Sequence, residues 1–359
     1  MSEDVYRRLC TAMTQRGGRY PGMDIPEFYD LARELFTPEE ADVAAAMPRK
    51  PSAASAVAQA MGRPEAQVSP VLEAMADKGL CSTLGAGDQR LYVAIPFVPG
   101  IFEFQFMKGT STDRDRRLAR LIHAYKEAVD RTTGPQPIAF PTFRSIPVEK
   151  TIRADSRVNT YDQVSAYIEK YDPIAVSTCF CRHEGELVEP SEACGKPNDV
   201  CMQFGPAAQY TIERGFGRRV TKAEARETVR RAAEAGLVHA SVNMQEIDFL
   251  CNCCPCHCVI LRTALGQPKP GRVLYSGFRP EFDVDRCVAC GTCVERCPAR
   301  ALTLSGDLPS VDPDRCFGCG VCATGCPSEA IQMAETPEFP KPPADRKALR
   351  EALSAARAS

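Results

Sequence analysis

Cys287-x-x-Cys290-x-x-Cys293-x-x-x-Cys297-Pro298 is followed by Cys316-x-x-Cys319-x-x-Cys322-x-x-x-Cys326-Pro327, and each cysteine keeps the same offset between the two runs. Three thiols at i, i+3 and i+6 on a tight, Gly-containing loop reach three irons of a 4Fe–4S cubane. The fourth iron needs a thiolate from elsewhere. The residues between them, Val288-Ala289, Gly291-Thr292, Phe317-Gly318 and Gly320-Val321, are small or apolar. They let backbone N–H groups approach the sulfurs and keep water out, both of which tune potential. Pro298 and Pro327 fix φ just after the last cysteine of each run and turn the chain into a short helix. Zinc knuckles pair their cysteines as C-x-x-C with a long gap between pairs. A three-cysteine comb closed by Cys-Pro, twice over, is a different pattern. The chemistry it points to is single-electron transfer at low potential, where thiols stay reduced.

Residues 282–333 resemble bacterial two-cluster ferredoxins, motif for motif. The resemblance implies two 4Fe–4S clusters, each run lending its last cysteine to the other cluster. One cluster would then take Cys287, Cys290, Cys293 and Cys326, and the other Cys316, Cys319, Cys322 and Cys297. The expected ferredoxin-like domain occupies residues 277–334, a small part of the chain.

The 359 residues allow two or three domains, and 44% hydrophobic with 25% charged content is ordinary for soluble protein. A net charge of −2 gives no global attraction to nucleic acid or anionic membrane. No apolar run approaches a bilayer span, and the N-terminal arginines lead into no apolar signal-peptide core. The 19 cysteines fall in ligand-like groups of a long chain, which argues for metal rather than disulfides. The expected home is the cytoplasm of an anaerobic or facultative prokaryote.

The expected fold class is α+β, with three folded parts. Residues 1–100 read as a winged-helix-like domain. Thr37-Pro38-Glu39-Glu40 is an N-cap signature that starts a helix. Helices over 52–61 and 65–78 follow, closed by Gly62 and Gly79, then a β-hairpin over 80–96. Three helices followed by a hairpin resemble winged helix-turn-helix domains, which raises DNA binding against a docking or structural role. The third helix carries Glu65, Glu73 and Asp77 and no basic residue between Pro64 and Asp77, whereas groove readout leans on Arg and Lys. Nucleic acid is therefore not the expected partner. Residues 101–147 form a helical linker with an amphipathic helix over 113–131, on which His123 lies off the apolar stripe, and a proline-marked connection beginning at Pro135. Residues 148–268 read as a mainly helical, Cys-rich metal or Fe–S domain. Residues 335–359 are a Pro-rich spacer and a terminal helix.

Nine cysteines remain in the central part: Cys179, Cys181, Cys194, Cys201, and the run Cys251-Asn252-Cys253-Cys254-Pro255-Cys256-His257-Cys258. Cys10 and Cys81 stand apart as ordinary thiols. On extended chain, i and i+2 share a face, so Cys179 with Cys181, and Cys254 with Cys256 and Cys258, are candidate ligand groups, and adjacent Cys253 and Cys254 point apart. Three readings stay open: a third 4Fe–4S cluster, with room for a fourth; a structural thiolate zinc site; and inert thiols. The lead set is Cys179, Cys181, Cys194 and Cys201, with 251–258 closing over it or holding its own centre. His183 and His257 are further candidate ligands, and His239 reads as structural. Arg182 and Lys196 are candidates for offsetting cluster charge, though surface solvation is the commoner fate of such side chains.

The layout as a whole resembles large 4Fe–4S ferredoxin-type proteins of anaerobic bacteria. It implies an electron-transfer component of a larger oxidoreductase, with redox proteins as partners. The rival readings are a redox-sensing winged-helix regulator and a reductase whose central cluster binds substrate. Neither a Gly-rich dinucleotide fingerprint nor a phosphate loop is present.

Overall fold

The computed structural model describes residues 2–134 and 136–358. Met1, Pro135 and Ser359 lie outside the described residues, Pro135 being the first proline of the expected connection. The chain forms two compact units. Unit one comprises Met1–Gly134, Ser177–Ala193 and Gln209–Arg218; unit two comprises Pro135–Val176, Cys194–Ala208 and Arg219–Ser359.

Unit one begins with α1 (Ser2–Arg16), α2 (Pro26–Leu35), α3 (Pro38–Ala46), α4 (Ala54–Met61) and α5 (Glu65–Asp77). Thr37 caps α3 as the sequence suggests. Its hydroxyl accepts from Glu40 N at 3.2 Å, and the Glu40 carboxylate accepts from Thr37 N at 2.9 Å. Gly62 ends α4 in the left-handed region, at φ 63°. The hairpin is β1 (Ser82–Leu84) against β2 (Leu91–Val93), and Ser52 and Tyr92 exchange backbone hydrogen bonds on its far edge. After α6 (Phe102–Phe106), Thr112 and Asp115 cap α7 (Asp113–Thr133) reciprocally. The buried stripe of α7 includes Leu118, Ile122, Tyr125 and Val129. The Tyr125 ring meets Phe28 and Phe97 with centroids 6.0 and 5.7 Å apart.

The acidic face of α5 is engaged within unit one. Glu73 accepts from Arg90 at 2.8 Å and from the Tyr92 hydroxyl, and Arg214 reaches Glu73 at 2.9 Å and Asp77 at 2.6 Å. Arg63 pairs with Asp42, and Lys78 with Glu40.

The expectation of a mainly helical central domain is corrected by a six-stranded sheet. Its elements are β3 (Phe143–Ile146), α8 (Val164–Lys170), β4 (Ile174–Thr178), α9 (Phe180–Val188, carried in unit one), β5 (Asp199–Phe204), α10 (Gly205–Glu213), β6 (Arg218–Val220), α11 (Lys222–Glu234), β7 (Val238–Val242), β8 (Phe249–Cys253) and α12 (Val259–Leu265). The strand order is β3-β7-β8-β5-β4-β6. All of β7 and nearly all of β4 are buried. β7 is covered on both faces, so its polar His239 and Ser241 are buried along with Val238, Ala240 and Val242.

The sheet parts two cores. On one side Ile146, Ile174, Val176, Met202, Phe204 and Leu250 pack with Val164, Tyr167 and Ile168 of α8 and Ala225 of α11. Arg144 is buried here, donating to Asp162 at 2.6 Å and to Tyr161 O at 2.9 Å. The other side carries Val238, Ala240 and Cys253, with Leu261 and Ala264 of α12 and residues of the C-terminal segment. Side chains alternate along a strand, so Leu250 and Asn252 of β8 face the first core while Cys251 and Cys253 face the second.

The C-terminal segment is α13 (Pro270–Val273), β9 (Phe278–Phe282), α14 (Thr292–Arg296), the hairpin β10 (Leu302–Ser305) and β11 (Leu308–Val311), α15 (Val321–Thr324) and β12 (Ile331–Glu335). β9 and β12 pair antiparallel, from Ile331 opposite Phe282 to Glu335 opposite Phe278. α16 (Arg346–Ala358) follows; its Leu349 is buried with Val242 and Met244. The proline spacer is fixed at Gln245, which donates to the carbonyls of Pro342 and Pro343, both at 2.9 Å.

Candidate iron–sulfur cages and central thiol groups

The two cysteine runs fold as repeats. Gly291 and Gly320 precede α14 and α15 at φ 76° and 78°. Ala301 N donates to Cys297 Sγ, and Ala330 N to Cys326 Sγ, each at 3.3 Å. Each run closes a cavity with the last cysteine of the other. Cys287, Cys290, Cys293 and Cys326 line about 310 Å³ of free space, open mouth included, with Val288, Ala289, Gly291 and Ile331 among the other walls. Cys316, Cys319, Cys322 and Cys297 line about 320 Å³, with Leu302, Phe317 and Met333. Neither lining includes a carboxylate or an ammonium. Four thiols, an apolar wall and backbone N–H groups aimed at sulfur are the donor set that a 4Fe–4S cluster requires. One apolar cluster joins the cavities, holding Cys293 and Cys326 of the first and Cys297 and Cys322 of the second.

The cavities differ in surroundings. In the first, Cys290 is exposed, Cys287 half-buried, and Val288 between them is 66% exposed. The Thr292 side chain, 3.4 Å from Cys290 Sγ, holds that thiol below its ordinary pKa. In the second, Cys319 and Cys322 are buried. Burial pushes Cys316 up to about 11 and Cys319 up to about 12. We call them the outer and inner cages. The loop of the inner cage presses on the sheet: Val148 N donates to Cys319 O at 3.1 Å, and Ser145 Oγ to Phe317 O at 2.6 Å. Cys297, Cys316 and Cys319 share an apolar cluster with Cys251, Cys253 and Cys258.

The central cysteines sort by alternation. Cys253 faces the inner cage with Cys258, their sulfurs 2.9 Å apart, and Cys251 lies on the same strand face. Hydrogen bonds with Cys251 and Cys258, then burial, drive the Cys253 thiol well above its ordinary range. Adjacent Cys254 turns away and meets Cys194, Cys256 and His257, whose ligand atoms all lie within 4.8 Å of one another. So Cys194, one of the lead set read from sequence, sits with the 251–258 run. Cys201 is half-buried on β5, with Gln203 Nε2 3.1 Å from its sulfur. Cys179 caps α9 and Cys181 is buried in its first turn, both in unit one.

His183, a candidate ligand from sequence, donates from Nε2 to Thr110 O at 2.7 Å. His239 is buried with its Nδ1 2.6 Å from Asn252 Oδ1, and burial lowers its pKa. Arg182 is fully buried, and Lys196 donates to Ala235 O at 2.6 Å. Cys10 and Cys81 are buried, and burial pushes their thiols up to about 11 and about 12.

Residues 286–330 match the family model described as a 4Fe-4S dicluster domain. No curated protein and no solved structure matches the chain. The match and the cysteine groups together support an iron–sulfur electron-transfer protein. Among the described residues, no helix is long and apolar enough to cross a membrane.

Proposed function

We propose that the chain is an electron-transfer component of a larger oxidoreductase, relaying single electrons through two C-terminal 4Fe–4S clusters and a further thiolate-bound Fe–S centre in the central part. Bound in the cages, the clusters supply one-electron chemistry at low potential. The carrying observation is the contrast between the cages: Cys290 and Val288 lie open to solvent, whereas Cys316 and Cys319 share packing with Cys251, Cys253 and Cys258. The open cage is the face for a redox partner, and the inner one faces the central thiols. In this reading Cys287, Cys290, Cys293 and Cys326 hold one cluster, and Cys316, Cys319, Cys322 and Cys297 the other. Within unit two, Cys201, Cys251, Cys253 and Cys258 supply the central centre.

Residues 1–100, winged-helix-like in element order, serve in this proposal as a docking module. A DNA-reading role would need a basic face on α5. The charged residues of α5 are Glu65, Glu73 and Asp77, and Arg90 and Arg214 already hold Glu73 and Asp77.

The test is iron, acid-labile sulfide and EPR on the anaerobically prepared full chain. Two filled cages give at least about eight irons per chain. Cys290→Ala and Cys319→Ala should each remove about four irons and one reduced-state S = ½ signal. Unchanged iron and spectra in both variants would overturn the ligand assignment and the relay with it.

A further inference from the structure

The cavities at the two C-terminal cages suit a cubane. The central set Cys194, Cys254, Cys256 and His257 is built on a smaller scale. All four ligand atoms fall within 4.8 Å of one another, and Cys254 Sγ stands 3.9 Å from His257 Nδ1. A tetrahedral ion with metal–sulfur bonds of about 2.3 Å and metal–nitrogen bonds of about 2.0 Å sets its ligand atoms about 3.6–3.8 Å apart. Thiolates on separate irons of a cubane stand roughly 6 Å apart. The spacing here matches one ion.

We propose that Cys194, Cys254, Cys256 and His257 form a mononuclear structural zinc site, separate from every Fe–S centre in the chain. Three thiolates and an imidazole are a closed zinc set with no open position for substrate. Zinc has no redox chemistry, so the site carries no electrons. Its work is mechanical, and the surrounding contacts show what it braces. Cys194 lies in the loop before β5, and Lys196 of that loop donates to Ala235 O at 2.6 Å. Cys254 and Cys258 are joined by a backbone turn, Cys258 N donating to Cys254 O at 3.2 Å. Cys258 then caps α12, whose Leu261 and Ala264 pack with Phe317 and Cys319 of the inner cage. An ion across the two loops fixes the turn from which Cys253 and Cys258 face that cage. The proposal does not depend on the relay, because zinc and iron are counted separately.

The test is metal analysis of the anaerobically purified full chain from zinc-replete cells, with X-ray absorption at the zinc edge. The expected result is one zinc per chain in addition to iron, with three sulfurs at about 2.3 Å and one nitrogen at about 2.0–2.1 Å. Cys194→Ser should lose at least tenfold in zinc occupancy while keeping its iron, and His257→Cys should retain zinc with four sulfurs at the edge. Zinc absent from the wild-type chain would overturn the proposal, as would loss of about four irons in Cys194→Ser, the signature of a cubane. Where Cys194→Ser fails to fold, the wild-type edge spectrum decides alone, and a shell without nitrogen refutes the His257 ligand.

Discussion

Gly318→Ala tests whether the inner cage is seated against the rest of its unit. Gly318 sits at φ +69°, and a Cβ there would fall inside the van der Waals limits of Phe278 O and Ser276 Oγ. The same contact carries two hydrogen bonds, from Ser276 Oγ to Gly318 O at 2.7 Å and from Ser276 N to Phe317 O at 3.1 Å. The left-handed backbone costs a side chain about 1–2 kcal/mol. Wedging a methyl against backbone adds about 1–3 kcal/mol. The expected penalty is therefore about 2–5 kcal/mol, spent on moving the loop between Cys316 and Cys319. Gly291→Ala is the control, since Gly291 has φ +76° and open space where its Cβ would go. It should cost only the backbone term, about 1–2 kcal/mol. The repeat supports the comparison, because the outer-cage counterpart of Gly318 is already Ala289, at φ 52°. The assay is the rate of iron loss to a chelator from anaerobically loaded chain. Gly318→Ala should release about four irons, those of the inner cage, at least tenfold faster than Gly291→Ala, the remaining iron leaving at the control rate. Equal rates, with full iron in both variants, would refute the seating argument.

Two further outcomes follow from the same surfaces. In metal-free, fully reduced chain at neutral pH, iodoacetamide should modify Cys290 at least tenfold faster than Cys319. Cys290 is exposed with its thiol pKa held down by Thr292, while burial pushes Cys319 up to about 12; the thiolate is the nucleophile, so raising pH should speed both reactions. Peptide mass spectrometry over time reads the order, and a reversed order would contradict the assignment of outer and inner cages. The full chain should bind duplex DNA with Kd weaker than about 10⁻⁶ M at physiological salt; a sequence-selective gel shift at nanomolar protein that follows the redox state would instead install the regulator.

The C-terminal segment was the most legible part of the chain, because its spacing is imposed by one rigid inorganic shape. The cap at Thr37 was legible too, standing with Glu40 as its sequence signature requires. The central sheet was not. β4 opens on the apolar run Ile174-Ala175-Val176, which periodicity cannot set apart from buried helix, and the alternation of β7, Val238-His239-Ala240-Ser241-Val242, is short and buries its polar His239 and Ser241. The lead ligand set from sequence rested on proximity along the chain, and Cys194 instead finds Cys254, Cys256 and His257 across the fold. The divergence of Cys253 and Cys254 was readable from strand geometry. The partner on each side was not, because it depends on how the sheet and α12 are packed. The acidic residues of α5 were visible in the sequence, while Arg214, which engages two of them, lies far along the chain.

β8 imposes a parity rule on this protein. Leu250 and Asn252 belong to one side of the sheet and Cys251 and Cys253 to the other, so the strand acts as a wall with oil on one side and sulfur on the other. A one-residue slip in the pairing of β8 would exchange the two sides at once, sending thiols into the hydrocarbon and a leucine toward the inner cage. A two-residue slip would keep the sides. Length changes that the connection before β8 absorbs leave this pairing, and so the two sides, as they are.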